Sequence, residues 1–106
     1  MRVVWSPLAE VRAGEALEAM LRERPAAAAA WLERLLAGVA QLGRFPERGR
    51  MVPEVGRKDV REVMQAPYRV IYRVDAKRVV ILTVRHMRRA FDLGEAEGCR
   101  LTSACS

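Results

Sequence analysis

Val60-Arg61-Glu62-Val63-Met64-Gln65, Tyr68-Arg69-Val70-Ile71-Tyr72-Arg73-Val74 and Arg78-Val79-Val80-Ile81-Leu82-Thr83-Val84 follow one another with only Ala66-Pro67 and Asp75-Ala76-Lys77 between them. The first run alternates apolar and polar residues, the second is rich in Val, Ile and Tyr, and the third is nearly continuous in β-branched residues. All three read as strands. Connections this short predict antiparallel neighbours. Upstream, the apolar period changes from two to 3.6 residues. Ala9, Ala13, Ala16, Leu17 and Met20 mark one helix, begun by Ser6 at the cap and Pro7 in the first turn. Arg24-Pro25 breaks it. A second helix follows, with the stripe Ala28, Leu32, Leu35, Leu36, Val39 and Leu42, and Gly43 is its expected C-cap. Trp31, beside that stripe, is expected to be packed or half exposed to a partner.

Val3-Val4-Trp5 supplies a further strand, and residues 44–58, with Pro46, Gly49, Pro53 and Gly56, read as a loop. The order is therefore β-α-α-β-β-β. The predicted fold is α+β: a helical hairpin over residues 7–43, packed on one face of a four-stranded antiparallel sheet from residues 2–5, 60–65, 68–74 and 78–85. The opposite face is expected to stay at least partly open. A chain of 106 residues has room for one domain. That domain is placed at 1–93, and residues 94–106 read as a flexible tail.

Hydrophobic residues make up 51% of the chain, enough for a core, and no apolar stretch is long enough to span a membrane. The N-terminal residues lack the apolar run of a secretory signal, and Cys99 and Cys105 lie too close to one end to staple the fold. A reducing cytoplasm is the expected location. With a single histidine, no metal site and no cofactor are expected. The formal net charge is +6. Five arginines and five glutamates cancel within residues 1–43, so the excess belongs wholly to residues 44–106. Arginine accounts for seventeen of the nineteen basic residues. Such an excess suits an anionic partner, either nucleic acid or an acidic protein segment.

These pieces, in this order, resemble the RelE/ParE superfamily of toxins from type II toxin–antitoxin modules. The resemblance rests on Trp5-Ser6-Pro7, Phe45-Pro46-Glu47-Arg48-Gly49-Arg50, Val60-Arg61-Glu62, the Tyr68–Val74 run and Val84-Arg85-His86-Met87-Arg88-Arg89. It covers roughly residues 3–92 and is closest to the ParE-like branch, often labelled plasmid stabilisation proteins. It implies a growth-inhibiting toxin neutralised by a cognate antitoxin, whose acidic segment folds on binding. It also implies operator DNA bound only through the antitoxin complex. ParE-like members act on DNA gyrase, and RelE-like members cleave mRNA on the ribosome. RelE-like nucleases tend to carry mid-chain lysines and a late aromatic residue or histidine. This chain has only Lys58 and Lys77, and no tyrosine after Tyr72, which favours the gyrase branch.

Metal-independent RNA cleavage needs a base, an acid and a cation for the phosphorane. His86, Arg61, Arg69 and Arg89 are the candidates should the protein be such an mRNA interferase. Arg69, Arg73, Arg85, His86, Arg88 and Arg89 are the candidate target-binding set, expected on the open sheet face and its exit. Arg48 and Arg50 are expected to hold a phosphate or an antitoxin carboxylate. A reading from another class is a non-toxic basic module that binds nucleic acid through phosphates.

Overall fold

The computed structural model describes residues 1–88. Strand β1 (Arg2–Trp5) leads into α1 (Pro7–Glu23) and α2 (Pro25–Gln41). Then come β2 (Arg50–Met51), β3 (Val60–Gln65), β4 (Tyr68–Val74) and β5 (Arg78–His86). The α+β class and the helical hairpin agree with the sequence reading. The sheet differs in two respects: it has five strands, in the order β1-β5-β4-β3-β2, and it is mixed. β1 runs parallel to β5, with Arg2 opposite Arg78 and Trp5 opposite Ile81. Short turns impose antiparallel pairing only on the strands they join. β1 returns to the sheet through two helices, so that constraint does not reach it. The added strand, β2, lies inside the Pro/Gly loop, where Arg50 and Met51 fall between the breakers and pair with Glu62 and Arg61.

The helix start at Ser6 forms as its residues dictate. The Ala9 N–H donates to Ser6 Oγ at 3.0 Å, and that hydroxyl donates to the Leu82 carbonyl at 3.0 Å, tying the cap to β5. On α2 the buried residues are Ala28, Trp31, Leu35 and Val39. Leu36, expected in the stripe, is 52% exposed, whereas Trp31 is wholly buried. The indole N–H donates to the Gln65 carbonyl at 3.1 Å, which satisfies its one polar atom and turns the apolar face toward Trp31.

The helices cover one side of the sheet with a core of Trp31, Leu35, Val39, Val70, Tyr72, Val79 and Ile81, among others. The other side is less open than its sequence suggests. Val52, at 0% exposure, packs on Val60, Ile71, Val80 and Leu82, with Val55 and Leu8 at the margin. The segment after β2 is therefore a strap that roofs the middle of this face. A register shift between Ile71 and Tyr72 sets Thr83 opposite Ile71 and Ile81 opposite Tyr72, with Leu82 between them in β5. No helix among the described residues is long and apolar enough to cross a membrane. The proposed domain end at residue 93, the tail and Arg89 lie outside the described residues.

Candidate functional site

Side chains alternate across β4, so Arg69, Ile71 and Arg73 lie on the strap side while Val70 and Tyr72 face the helices. Arg69 is nonetheless not available on an open surface: it is 6% exposed. Its Nε donates to Glu62 at 2.6 Å, and its Nη1 and Nη2 donate to Glu54 of the strap at 2.9 and 3.2 Å. Glu62 is itself fully buried and also accepts from Arg50 Nε at 2.6 Å. The hydrogen bonds of Arg69 to Glu54 raise its pKa above the ordinary value, burial opposes them, and those to Glu62 add to the rise. Breaking one partner of such a buried set strands the other charge in the protein, so the network is strongly mutual. The expectation that Arg69 lines an open face is corrected here. The cause is Glu54, which the loop reading did not connect to the sheet.

His86 lies on the opposite side. It ends β5, and Tyr68 meets it edge-on with centroids 5.3 Å apart, while Tyr68 also packs against Trp31 at 5.3 Å. The Arg88 N–H donates to His86 Nδ1 at 3.1 Å. Two grooves flank this aromatic row. One, of about 300 Å³, is lined by Arg12, Glu15, Ala16, Tyr68, Arg85 and His86. The other, of about 480 Å³, runs past Glu23, Arg24, Pro67, Met87 and Arg88. His86 therefore faces α1, and Arg69 sits beneath the strap. The expected convergence of His86 with Arg61 and Arg69 on one surface does not occur: β4 and β5 present Arg69 and His86 to different sides of the sheet, and Arg61, on β3 beside Tyr72, is drawn to the Gly49 turn.

Arg61 belongs to a third place. It pairs across the sheet with Tyr72, and its Nη1 donates to the Gly49 carbonyl at 2.8 Å. Tyr72 Oη donates to the Pro46 carbonyl at 2.8 Å and accepts from the Gly49 N–H at 2.9 Å. Burial raises the Tyr72 pKa above its ordinary value, opposed by the Gly49 N–H and by nearby Arg61 and Arg48. A Cβ on Gly49 would come within 2.5 Å of the Glu62 carbonyl and 2.6 Å of Tyr72 Oη, so the turn closes only with glycine. Arg48 hydrogen-bonds Gln41, and Arg50 holds Glu62. Among the described residues no cluster of His, Cys, Asp or Glu is placed to hold a metal ion.

A helical hairpin on a sheet whose last described strand ends in Arg85-His86 is the frame that a family model matches over residues 3–91: "ParE toxin of type II toxin-antitoxin system, parDE". The chain belongs to the ParE toxin family. Among solved structures, a chain of the chromosomal ParDE toxin–antitoxin system of P. aeruginosa superimposes with a TM-score of 0.67 at 19% identity. The alignment covers 81% of this chain and 95% of that one. At that identity the likeness concerns the fold. No curated protein gives a significant match. In this ParE-family chain, sequence reasoning missed Glu54, Glu62 and Tyr72 as organisers. Only Glu62 carried a signal: a carboxylate at an inward position of an otherwise apolar alternation, where a buried cationic partner is needed.

Proposed function

We propose that this ParE-family toxin arrests bacterial growth by binding DNA gyrase in the cytoplasm and that a cognate acidic antitoxin neutralises it. Operator DNA is contacted only through that complex. The observation that supports a binding role over RNA cleavage is the dispersal of the three described members of the candidate catalytic set. Arg69 is committed to Glu54 and Glu62, Arg61 to the backbone of the Gly49 turn, and His86 stands on the other side of the sheet from Arg69. Acid, base and phosphorane cation must act on one phosphate, and these side chains do not reach one point. The test pairs two assays on the purified protein. Gyrase supercoiling should be inhibited, and ribosome-bound mRNA should stay intact. Cleavage without an effect on supercoiling would reverse the reading.

One observation supports the second reading, a metal-independent mRNA endoribonuclease. The α1 groove sets the Arg12–Glu15 pair near His86, an acid–base residue with a cation on the same side of the sheet. On that reading His86→Ala lowers cleavage by roughly 10²–10⁴-fold while target binding persists. On the gyrase reading the same change alters toxicity only as far as it alters affinity.

A further inference from the structure

Among the described residues Phe45 is the most exposed of the large apolar side chains, at 57%, yet its turn is fastened at several points. The Phe45 N–H donates to the Gln41 carbonyl at 2.9 Å, and the Arg48 N–H donates to the Phe45 carbonyl at 3.1 Å. Tyr72 and Arg61 grip Pro46 and Gly49 from the sheet, as described above. An aromatic ring held out on a tied backbone loses little freedom when it is covered, which favours its use as an anchor.

Arg44 lies over the ring, with its guanidinium carbon 5.6 Å from the centroid. A cavity of about 530 Å³ is lined by Arg44, Phe45, Pro46, Glu47 and Arg48. A second, of about 230 Å³, runs from Arg48 and Arg50 along Val63, Met64 and Gln65 of β3. The two meet at Arg48. Among the described residues no carboxylate ion-pairs with Arg44 or Arg48.

We propose that this turn seats an extended acidic segment of the cognate antitoxin. An apolar side chain of the segment enters the Phe45 cavity, its carboxylates meet Arg44 and Arg48, and the chain continues along β3. The inference rests on the toxin reading above and adds the place of contact. Charge complementarity selects the occupant: exposed arginines rim an apolar pocket, within the half of the chain that holds the whole basic excess. Two cavities that share Arg48 in their walls suit an extended chain. Arg44 lies over one face of the Phe45 ring, which leaves less of it for base stacking.

The experiment uses the full chain and the product of the reading frame adjacent to its gene, taken as the cognate antitoxin. Growth arrest, rescue by co-expression and the affinity of the purified pair are measured for wild type, Phe45→Ala, Arg48→Glu and, as a control, Leu21→Ala, an exposed residue of α1. Circular dichroism checks that each variant is folded. Phe45→Ala and Arg48→Glu should stay toxic, escape rescue and bind the antitoxin at least about tenfold more weakly, and Leu21→Ala should behave as wild type. Affinity of Phe45→Ala within about threefold of wild type overturns the proposal. Loss of toxicity at that unchanged affinity would assign the turn to the target. Displacement of the antitoxin by a poly(dT) oligonucleotide that depends on Phe45 would assign it to nucleic acid. A wild-type chain that neither arrests growth nor binds its neighbour overturns the toxin reading itself, and this proposal with it.

Discussion

The two sides of the sheet are built from the same strands by different physics. On the helix side, Trp31, Leu35, Val70 and Tyr72 exclude water by apolar packing. On the strap side, a smaller apolar cluster around Val52 and Ile71 adjoins a buried carboxylate shared by Arg50 and Arg69 and completed by Glu54. Apolar packing is non-directional and tolerates partial loss, whereas an ion network tolerates loss only when its partners leave together. The helix side therefore supplies bulk stability. The strap side fixes where one loop lies.

Four single variants and one double variant bear on that contrast. Trp31→Ala removes the largest buried side chain and should cost about 3–5 kcal/mol in urea unfolding. Glu62→Ala, though far smaller in volume, should cost a comparable ~3–5 kcal/mol, because it leaves Arg69 buried without its nearest carboxylate. The double variant Glu62→Leu/Arg69→Met should be less damaging than Glu62→Ala alone. If it is as damaging, the strap side is held by packing after all, and the contrast fails.

Tyr72→Phe deletes a hydroxyl that serves both Pro46 and Gly49 and should cost about 1–3 kcal/mol. It should also change the alkaline limb of stability. The folded pKa of Tyr72 is raised, so its contribution is fully present below the ordinary tyrosine pKa near 10 and is lost as pH rises through the folded value. Unfolding followed between about pH 9 and 11 should therefore fall less steeply in the phenylalanine variant. At the small end, Arg57→Ala breaks a solvated pair with Asp59 and should change stability by no more than about 1 kcal/mol. A larger loss would mean that the strap is anchored at its far end as well.

What the residues reveal before folding follows the same division. The strands, the hairpin and the Ser6 cap were legible because period, proline and cap chemistry are local. Arg69 and Ile71 were correctly placed together on one side of β4, but Glu54 was invisible as their cover, since nothing local says where a loop lands. The α2 stripe was read from Leu36 where Trp31 is buried. A leucine and a tryptophan compete for the same seam, and the tertiary partner at Gln65 decides between them. The match between the helical hairpin and the ParE toxin frame was legible from ordered motifs. The separation of His86 from Arg69 was not, because it depends on which faces β4 and β5 present.

The placement of β5 has a further consequence for how the chain assembles. It is the last described strand in sequence, yet it lies between the first strand and β4. Until residues 78–86 exist, β1 with its helices and the β2-β3-β4 meander have no shared strand to join them. The hairpin of helices and the meander rest on local contacts and are free to form early, but closure of the sheet waits on a pairing between the two ends of the described chain, which is entropically the slowest kind. A ribosome that stops before Arg78 thus releases a chain whose helices meet the meander only through α2, at Trp31 with Gln65 and Tyr68, and whose β1, sheet-facing side of α1 and edge of β4 lack the strand they pack on. Completeness of the chain is itself a condition for having a toxin-shaped surface at all.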